Sequence, residues 1–297
     1  MIPVKINGSE VRPIRRYSSS TVRKTLHKAI LTNIALVMLF VVLFPLVWMF
    51  FSSFKSNPEL YLRPPKFFAQ QWVLLHYKEL FLMTSFPRYF LNTFAVAGVA
   101  CIVGAVVSLC GVYSLTRFRF VGAGISTFIM LLIYMLPPIL LAIPFFQIWL
   151  SLGMLDTLTA LMLTYLTITV PFSVWILRPY VESIPRELEE SGRVDGCGQF
   201  QAFVLIIVPQ TAPGVVAALI FTFVVVWNEY LYAQVIMQSD KLRTVSLAIA
   251  GLVRETAVYS WGLANAAGVM VTIPILVLFI LIQKGMVSGM VVGAVKE

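Results

Sequence analysis

"FVGAGISTFIMLLIYMLPPILLAIPFFQIWLSLGML" occupies residues 120–155, and no Asp, Glu, Lys or Arg interrupts it. An α-helix of about 20 residues is long enough to cross the hydrocarbon core of a membrane. This stretch therefore exceeds what one crossing requires. It is the first indication that the chain spans a membrane, and its neighbours along the sequence repeat the pattern.

Five more stretches lack charged side chains altogether: 29–54, 89–116, 157–177, 196–228 and 256–283. Only 12% of residues are charged and the mean hydropathy is +0.90, whereas about a quarter of a soluble domain is charged. Lipid leaves helices or closed barrels as the ways to satisfy the backbone, and the alternating strands of a barrel are absent. We predict an all-α, polytopic membrane protein with six transmembrane helices, near 29–51, 90–115, 124–149, 157–178, 213–236 and 264–283.

The basic residues predict the orientation. With the N-terminus inside, fourteen of the 22 Lys and Arg residues fall in cytoplasmic segments. The short loop 116–122 holds two arginines and the loop 151–156 holds none, as the positive-inside rule requires. Both termini are therefore predicted to be cytoplasmic. The net charge of +9 follows from this orientation, and no nucleic-acid partner is needed to explain it.

The N-terminal segment 1–28 is basic and has no clear signal-peptide cleavage site. We predict that it lies at the anionic inner leaflet, with a regulatory docking role as the alternative. The three cysteines and the two histidines, His27 and His76, lack metal-ligand spacing, so no metal site is predicted.

The internal loop 179–212 concentrates acidic residues, in the stretch "ELEESGRVDGCGQFQAFVLIIVP" at 187–209. Pro185 suits the first turn of a helix, and Gly196 suits a left-handed C-terminal cap, so a short helix is predicted to run to about Val194. A second helical stretch, 199–208, is predicted to end at the prolines ahead of the fifth span, Pro209 and Pro213. Its apolar face would be formed by Phe200, Phe203, Val204 and Ile207.

Two interpretations of this loop remain open from the residues alone. It is either a solvated amphipathic segment that lies on the membrane or on its own bundle, or a docking element for a cytoplasmic partner. Helical periodicity is the same for both.

The loop resembles one in a known family. Glu190-Ser191-Gly192, then Gly196, then Ile206, Val208 and Pro209 follow the pattern E-A-A, three residues, G, nine residues, I-x-L-P, with small or apolar replacements. This is the cytoplasmic loop of permease subunits of carbohydrate-type ABC importers. The resemblance is strongest to the second permease of maltose-type importers. It extends to "NTFAVAG" (92–98), "YSLTRFRFVG" (113–122), "LGMLDT" (152–157), "WNEYLYA" (227–233) and "GMVVGAVKE" (289–297).

The resemblance implies that 29–297 is a permease domain and that 184–209 is a coupling element seated on an ATP-hydrolysing subunit. The residues implied for coupling are Glu189, Glu190, Ser191, Gly192, Asp195, Gly196, Phe203 and Pro209. The implied partners are a second homologous permease subunit, two nucleotide-binding ATPase subunits, an external solute-binding protein, and a sugar or oligosaccharide. The implied location is a bacterial-type cytoplasmic (inner) membrane.

The chain is predicted not to be an enzyme. It lacks the G-x-x-x-x-G-K-[ST] phosphate loop, so it is expected to bind no cofactor itself, and ATP and Mg²⁺ would be bound by the partner subunits. A secondary, ion-coupled transporter is the alternative, and a membrane scaffold or receptor without transport is a third. A secondary transporter would carry more intramembrane ionisable residues or internal repeats.

Glu229 is the only carboxylate inside a predicted span. An intramembrane carboxylate is a candidate for the transport pathway, and we add Asn228, Gln147 and Asn265 as candidate substrate-pathway residues. For each of them a polar contact between helices is the alternative. The sequence does not specify which sugar is carried.

Overall fold

All regular structure is helical in residues 19–255 and 261–294, the part that the computed structural model describes. The helices are α1 (Ser19–Ser52), α2 (Asn57–Leu60), α3 (Leu75–Leu82), α4 (Phe86–Arg117), α5 (Ala123–Met135), α6 (Pro138–Ser151), α7 (Leu158–Glu182), α8 (Arg186–Val194), α9 (Gln199–Ala202), α10 (Val208–Trp227), α11 (Leu231–Ile236), α12 (Val245–Glu255) and α13 (Trp261–Ala294). A π-helical turn, Phe203–Ile207, joins α9 to α10. The all-α fold predicted from the sequence is confirmed.

Contacts divide the chain into two units, Met1–Phe50 and Phe51–Glu297. The described part of the first unit belongs to α1, whose stretch Leu26–Ser52 is long and apolar enough to cross a membrane. Most of the predicted N-terminal segment 1–28 lies outside the described residues. The second unit holds the helix bundle with the features described below.

Four continuous helical stretches of the second unit can cross a membrane by length and composition: 86–117, 158–182, 199–227 and 261–281. The predicted span 124–149 is instead two helices, α5 and α6, bent by 99°. The sequence located this span but not its division into two helices. Leu136 (ψ 131°) and Pro137 (ψ 126°) are extended, because a residue that precedes proline is disfavoured in the α region and two prolines follow one another. Six crossings result if the bent pair is counted as one.

The fifth span also differs from its prediction. The helical stretch begins at Gln199 and ends at Trp227, whereas the sequence predicted 213–236 with a break at the prolines. Pro209 lies in the first turn of α10, where its missing N–H has little cost. Pro213 lies inside α10 without ending it. The widened π turn ahead of α10 accommodates the change in hydrogen bonding that the prolines impose.

The centre of the bundle is the contact between α4 and α7, with α10 beside both. Small residues allow the close approach. A Cβ added to Gly104 of α4 would lie 2.4 Å from Thr169 Oγ1 of α7, and Ala97 and Ala100 of α4 are buried in the same core. Small residues at such positions let membrane helices approach closely. α4 and α7 both end near α8, so we call that end of the bundle the α8 end.

The opposite end, near the start of α4, is called the α12 end. Here the amide of Asn92 donates to the carbonyls of Lys241 (3.0 Å) and Arg243 (3.1 Å). Thr93 Oγ1 accepts from the backbone N–H of Val245 at 2.8 Å. The segment 52–88 contains α2 and α3 and packs against α13. The hydrogen bonds of Asn92 and Thr93 tie the start of α4 to the segment that leads into α12.

Candidate coupling surface and candidate substrate cavity

α8 has the bounds that local sequence predicted. Pro185 precedes it, and Glu187 and Glu189 lie in its first turn, where carboxylates complement the helix dipole. Arg193 lies in the last turn. Gly196 follows with φ +92°, a left-handed conformation that glycine adopts without a steric penalty. Helix and turn together fix the direction of the chain towards α9.

One side of this region is exposed. We call it the coupling surface, and it consists of Glu187, Glu190, Ser191, Val194, Asp195 and Phe200. Two of its members are large and apolar: Val194 is 89% exposed and Phe200 is 78% exposed. Apolar side chains of this exposure among acidic groups are typical of an interaction surface rather than of a self-contained helix pair.

The opposite side of α8 faces its own bundle. Gly192 approaches the following helix so closely that an added Cβ would lie 2.7 Å from Ile206 Cδ1. Glu189 also lies on this side, and its side chain is only 12% exposed. Phe203 is buried, and so it too belongs to the bundle. The residues predicted for coupling are thus divided between an exposed face and a buried one.

The predicted apolar face of 199–208 is not one face. Phe203 and Ile207 are buried, but Phe200 and Val204 are exposed. Phe203 and Ile207 pack into the bundle beside Tyr113 and Leu177, and only their side of the stretch meets it. Phe200 and Val204 lie on the neighbouring side, which the bundle does not cover.

Arg117, the last residue of α4, joins three segments at the α8 end. Its Nε donates to Glu189 Oε1 of α8. Its Nη2 donates to the carbonyls of Val181 (3.2 Å) and Ile184 (2.8 Å), in the last turn of α7 and just beyond it. Tyr113, one turn earlier on α4, donates its hydroxyl to Glu189 Oε2 at 3.0 Å. We call Arg117, Glu189 and Tyr113 the clamp.

A cavity of about 340 Å³ lies at the bend between α5 and α6, against α7 and the end of α10. Polar groups lie among its mostly apolar walls, supplied by Tyr134, Thr167, Tyr232 and Glu229. A cavity of this size, with few polar groups on an apolar lining, is typical of small-molecule sites. The remaining lining residues are Ile133, Leu136, Pro138, Leu141, Ile168 and Val225.

Glu229 lies in the break between α10 and α11, two residues beyond the end of α10. Its carboxylate accepts from Tyr165 Oη of α7 at 2.7 Å. It also accepts from the backbone N–H groups of Tyr232 (2.9 Å) and Ala233 (3.3 Å) in the first turn of α11. The same carboxylate therefore caps α11, holds it to α7 and borders the cavity.

The other predicted pathway residues do not line this cavity. Gln147 of α6 is exposed, and Asn228 is exposed with its amide donating to Val224 O at 2.7 Å. Asn265 is half-buried in α13. The structure does not bring the predicted set together around one site; it places only Glu229 at the cavity.

At the α12 end, Asp156 ties two loops together. Its Oδ1 accepts from the backbone N–H groups of Gln238 (2.9 Å) and Ser239 (3.0 Å), and its own N–H donates to Ile236 O at 3.1 Å. Burial raises the pKa of Asp156, but the hydrogen bonds from Ser239 and Gln238 outweigh it, so the net pKa lies below the ordinary value. Asp156 also has φ 60°, which Asp tolerates better than most residues.

Sequence reasoning missed the clamp and most of the cavity. Arg117 entered only as a positive charge in a short loop, and its partner Glu189 is 72 positions away. Tyr134 and Thr167 carried no motif. The available signal was chemical: Arg117 follows directly on a charge-free span, and the next cytoplasmic segment is rich in carboxylates.

A helical bundle of membrane-spanning length, with an exposed helix at one end and a cavity between its helices, is the architecture of a membrane transport subunit. The sequence profile of the family described as "Binding-protein-dependent transport system inner membrane component" matches residues 102–290. The chain belongs to this family. It is therefore a multi-pass inner-membrane permease subunit of an ABC importer that works with a substrate-binding protein, and the secondary-transporter alternative is not supported.

Named relatives extend over nearly the whole chain. It is 34% identical to the inner membrane ABC transporter permease protein YcjP of Escherichia coli over 87% of this chain and 92% of that one. It is 32% identical to the diacetylchitobiose uptake system permease protein DasC of Streptomyces coelicolor, over 92% and 99% of the two chains. The resemblance to sugar-importer permeases stated from the motifs is confirmed.

A solved structure shares the fold. A chain of a bacterial ABC transporter involved in the import of the acidic polysaccharide alginate matches with a TM-score of 0.77 and 20% identity, covering 91% of this chain and 99% of that one. A chain of a bacterial alginate ABC transporter, solved in complex with an alginate pentasaccharide-bound periplasmic protein, also matches, with a TM-score of 0.68 and 16% identity. At this identity the likeness supports the arrangement of helices.

Proposed function

We propose that this chain is one half of a permease pair that carries a sugar or oligosaccharide, driven by two ATP-hydrolysing subunits, one of which docks on the coupling surface. The single observation that carries the docking step is the exposure of Val194 and Phe200 among acidic residues. The sequence has no phosphate loop of its own. ATP and Mg²⁺ would be held by the partner subunits.

The coupling surface would face the cytoplasm, with both termini on that side. Five arginines at the α8 end support this orientation under the positive-inside rule: Arg117, Arg119, Arg178, Arg186 and Arg193. The α12 end would face outwards. The external binding protein would deliver its sugar there, next to the segments that Asp156 and Asn92 hold in place.

The substrate we propose is an uncharged sugar. Tyrosine rings and hydroxyl groups suit the apolar faces and hydroxyl groups of a sugar, and both line the cavity. The lining includes one carboxylate and no lysine or arginine, so an acidic sugar would lack a cation to compensate its charge on this chain's side. Uptake is expected with diacetylchitobiose or maltodextrin and not with alginate oligosaccharides; the reverse would refute an uncharged substrate.

In this mechanism, closure of the ATPase pair displaces α8. The displacement turns the helices that border the cavity, so that the cavity opens alternately to the two sides of the membrane. This chain makes and breaks no covalent bond. Its parts bind the sugar, exclude water and transmit the motion.

Cross-linking in membranes tests the docking step. A single cysteine is introduced as Ser191→Cys after Cys101, Cys110 and Cys197 are replaced by alanine, and the ATPase subunits are co-expressed. Ser191 is exposed on α8, so we expect a cross-link to an ATPase subunit whose yield changes with ATP. The matched control is Leu152→Cys, which is also exposed (61%) but lies beyond α6, away from α8.

The cross-linking experiment has three informative outcomes. A cross-link from position 191 and none from position 152 would support the coupling role of 184–209. No cross-link from position 191, in protein that is folded and inserted, would contradict it. Equal cross-linking from both positions would indicate non-specific capture and would contradict it too.

A further inference from the structure

The clamp has a role that the coupling surface does not cover. Arg117 is 9% exposed and Glu189 is 12% exposed, so their ion pair lies beneath α8 rather than on its outer face. The resemblance placed Glu189 among the residues that meet the ATPase. The geometry turns it towards its own bundle.

Glu189 has both carboxylate oxygens engaged within the chain. Oε1 accepts from Arg117 Nε and Oε2 accepts from Tyr113 Oη. A nearly buried carboxylate with two charge-assisted or hydroxyl donors gains little by exchanging them for groups of another subunit. Its neighbour Glu190 is exposed and lies on the coupling surface. Adjacent carboxylates on α8 therefore have different tasks.

Arginine suits its own position for a geometric reason. Its guanidinium presents several N–H donors in one rigid plane. One side of that plane reaches α8 at Glu189, and another reaches the backbone carbonyls of Val181 and Ile184. These carbonyls close the end of α7, where cations are favoured by the helix dipole. One side chain thus fixes the distance between α4, α7 and α8.

Two further contacts extend the same junction. The rings of Tyr113 and Phe203 lie 4.8 Å apart between centroids, which joins the clamp to the π turn that leads into α10. Arg186 Nη2 donates to Thr116 O of α4 at 2.8 Å. The chain itself connects α8 only to α7 and α9. α4 is linked to α8 by these side-chain contacts.

We propose that Arg117 and Glu189 act as positioning residues that transmit the displacement of α8 to α4, and so to the cavity, without contacting the ATPase subunits. The proposal rests on the proposed docking of an ATPase subunit on the coupling surface. A rigid α8 could otherwise tilt on the short segment 183–185 and leave α4 where it was. With the clamp closed, α4 follows α8.

The test separates docking from transmission in the complete importer, in membrane vesicles. Docking is measured by the Ser191→Cys cross-link. Transmission is measured in a second background by fluorescein maleimide labelling of Thr167→Cys, at the cavity, with and without ATP and vanadate. The variants are Arg117→Gln, Glu189→Gln and their combination.

We expect both single variants to keep the cross-link yield within about twofold, because neither residue lies on the coupling surface. We expect the ATP-dependent change in labelling at position 167 to fall by about fivefold or more in each single variant. A factor of about five is the lower end of typical allosteric coupling between two sites. The double variant should be no worse than either single variant, because the two residues act as one unit. Tyr113→Phe removes one hydroxyl and should have a smaller effect in the same direction.

Two controls match the chemistry of the clamp. Arg178→Gln breaks an Arg–Glu pair, with Glu182 at 2.7 Å, on the same end of the bundle, but that pair is 43% and 49% exposed. It should change neither measurement. Glu190→Gln removes the adjacent carboxylate on the coupling surface. It should lower the cross-link yield.

Several results would overturn the proposal. If Glu189→Gln lost the cross-link while Arg117→Gln kept it, Glu189 would be a docking residue. Unchanged labelling at position 167 in Tyr113→Phe, Arg117→Gln and Glu189→Gln would show that α4 moves without the clamp. If the glutamine variants do not fold, Tyr113→Phe alone decides between these outcomes. No cross-link in the parent protein would refute the proposed docking itself, and with it any transmission from that surface.

Discussion

Gly104→Ala tests the contact on which the bundle depends. The added Cβ would lie 2.4 Å from Thr169 Oγ1 and 2.8 Å from Thr169 Cβ, whereas ordinary contact begins at 3.4 Å. α4 and α7 would have to separate by about 1 Å, or Thr169 would have to leave its rotamer. Neither is easy, because Thr169 is buried and β-branched, with its hydroxyl directed at Ala100 O.

The expected cost follows from two opposing effects. Overpacking of a well-packed core costs about 1–3 kcal/mol. Alanine regains up to about 1 kcal/mol over glycine in helix propensity. We expect a net destabilisation of roughly 1–2 kcal/mol, and hence a Tm several degrees below that of the parent protein in detergent.

The assay is the thermal unfolding of the purified protein, with Gly111→Ala as the matched control. Gly111 lies on the same helix, but an added Cβ there meets nothing within 4 Å, so its Tm should be unchanged or higher. Adding Thr169→Gly to the Gly104→Ala variant should restore its Tm, because this second substitution removes both clashing atoms. Thr169→Ala should restore it only in part, since the clash with Cβ remains. If Gly104→Ala is as harmless as Gly111→Ala, the helices are not in the contact described.

Three other perturbations have expected outcomes. Glu229→Gln should leave the amount of protein in the membrane nearly unchanged but reduce uptake of the accepted sugar, because the amide cannot accept from all three donors of the carboxylate; unchanged uptake would remove Glu229 from the pathway. Gly196→Ala should destabilise the protein by about 1–2 kcal/mol, measured as Tm, because alanine at φ +92° is strained; an unaltered Tm would contradict this. Asp156→Ala should lower Tm at pH 7 and progressively less below about pH 4. Because the folded-state pKa of Asp156 is depressed, its stabilisation is present above the ordinary pKa and is lost as pH falls through the folded one; a constant difference across pH would refute this.

The membrane-spanning helices could be predicted because their cause is local. A charge-free run of sufficient length has few alternatives in lipid. α4 contains its predicted span completely, and α7 contains all of its own except the first residue. The bend between α5 and α6 could be predicted only as a kink. Pro137 and Pro138 indicate where the helix yields, but the angle of 99° depends on how the two halves pack.

The candidate site divides in the same way. The bounds of α8 follow from Pro185 and Gly196, which act on their own neighbours. Its inward face could not be read from the sequence, because that face is selected by Arg117, 72 positions from Glu189. Periodicity also failed across 199–208, because the bundle covers the side of Phe203 and Ile207 but not that of Phe200 and Val204. The carboxylate of Glu229 was conspicuous in sequence, but one of its donors, Tyr165, lies on another helix, 64 positions away. The other two donors are local, and they follow from the end of α10 just before Glu229.

α4 gives these observations a common consequence. Its 32 residues extend for about 48 Å at the rise of an α-helix, with the clamp at one end and the hydrogen bonds of Asn92 and Thr93 at the other. Gly104 lies between them, against α7. Because α4 is held at both ends, it moves as one body. A side chain that pushes its middle away from α7 lowers stability but leaves the clamp intact. Gly104→Ala should therefore lower Tm while sparing the Ser191 cross-link, and Arg117→Gln should impair labelling at the cavity out of proportion to any change in Tm. If both variants changed both quantities in the same proportion, α4 would not be the element that carries motion between the two ends.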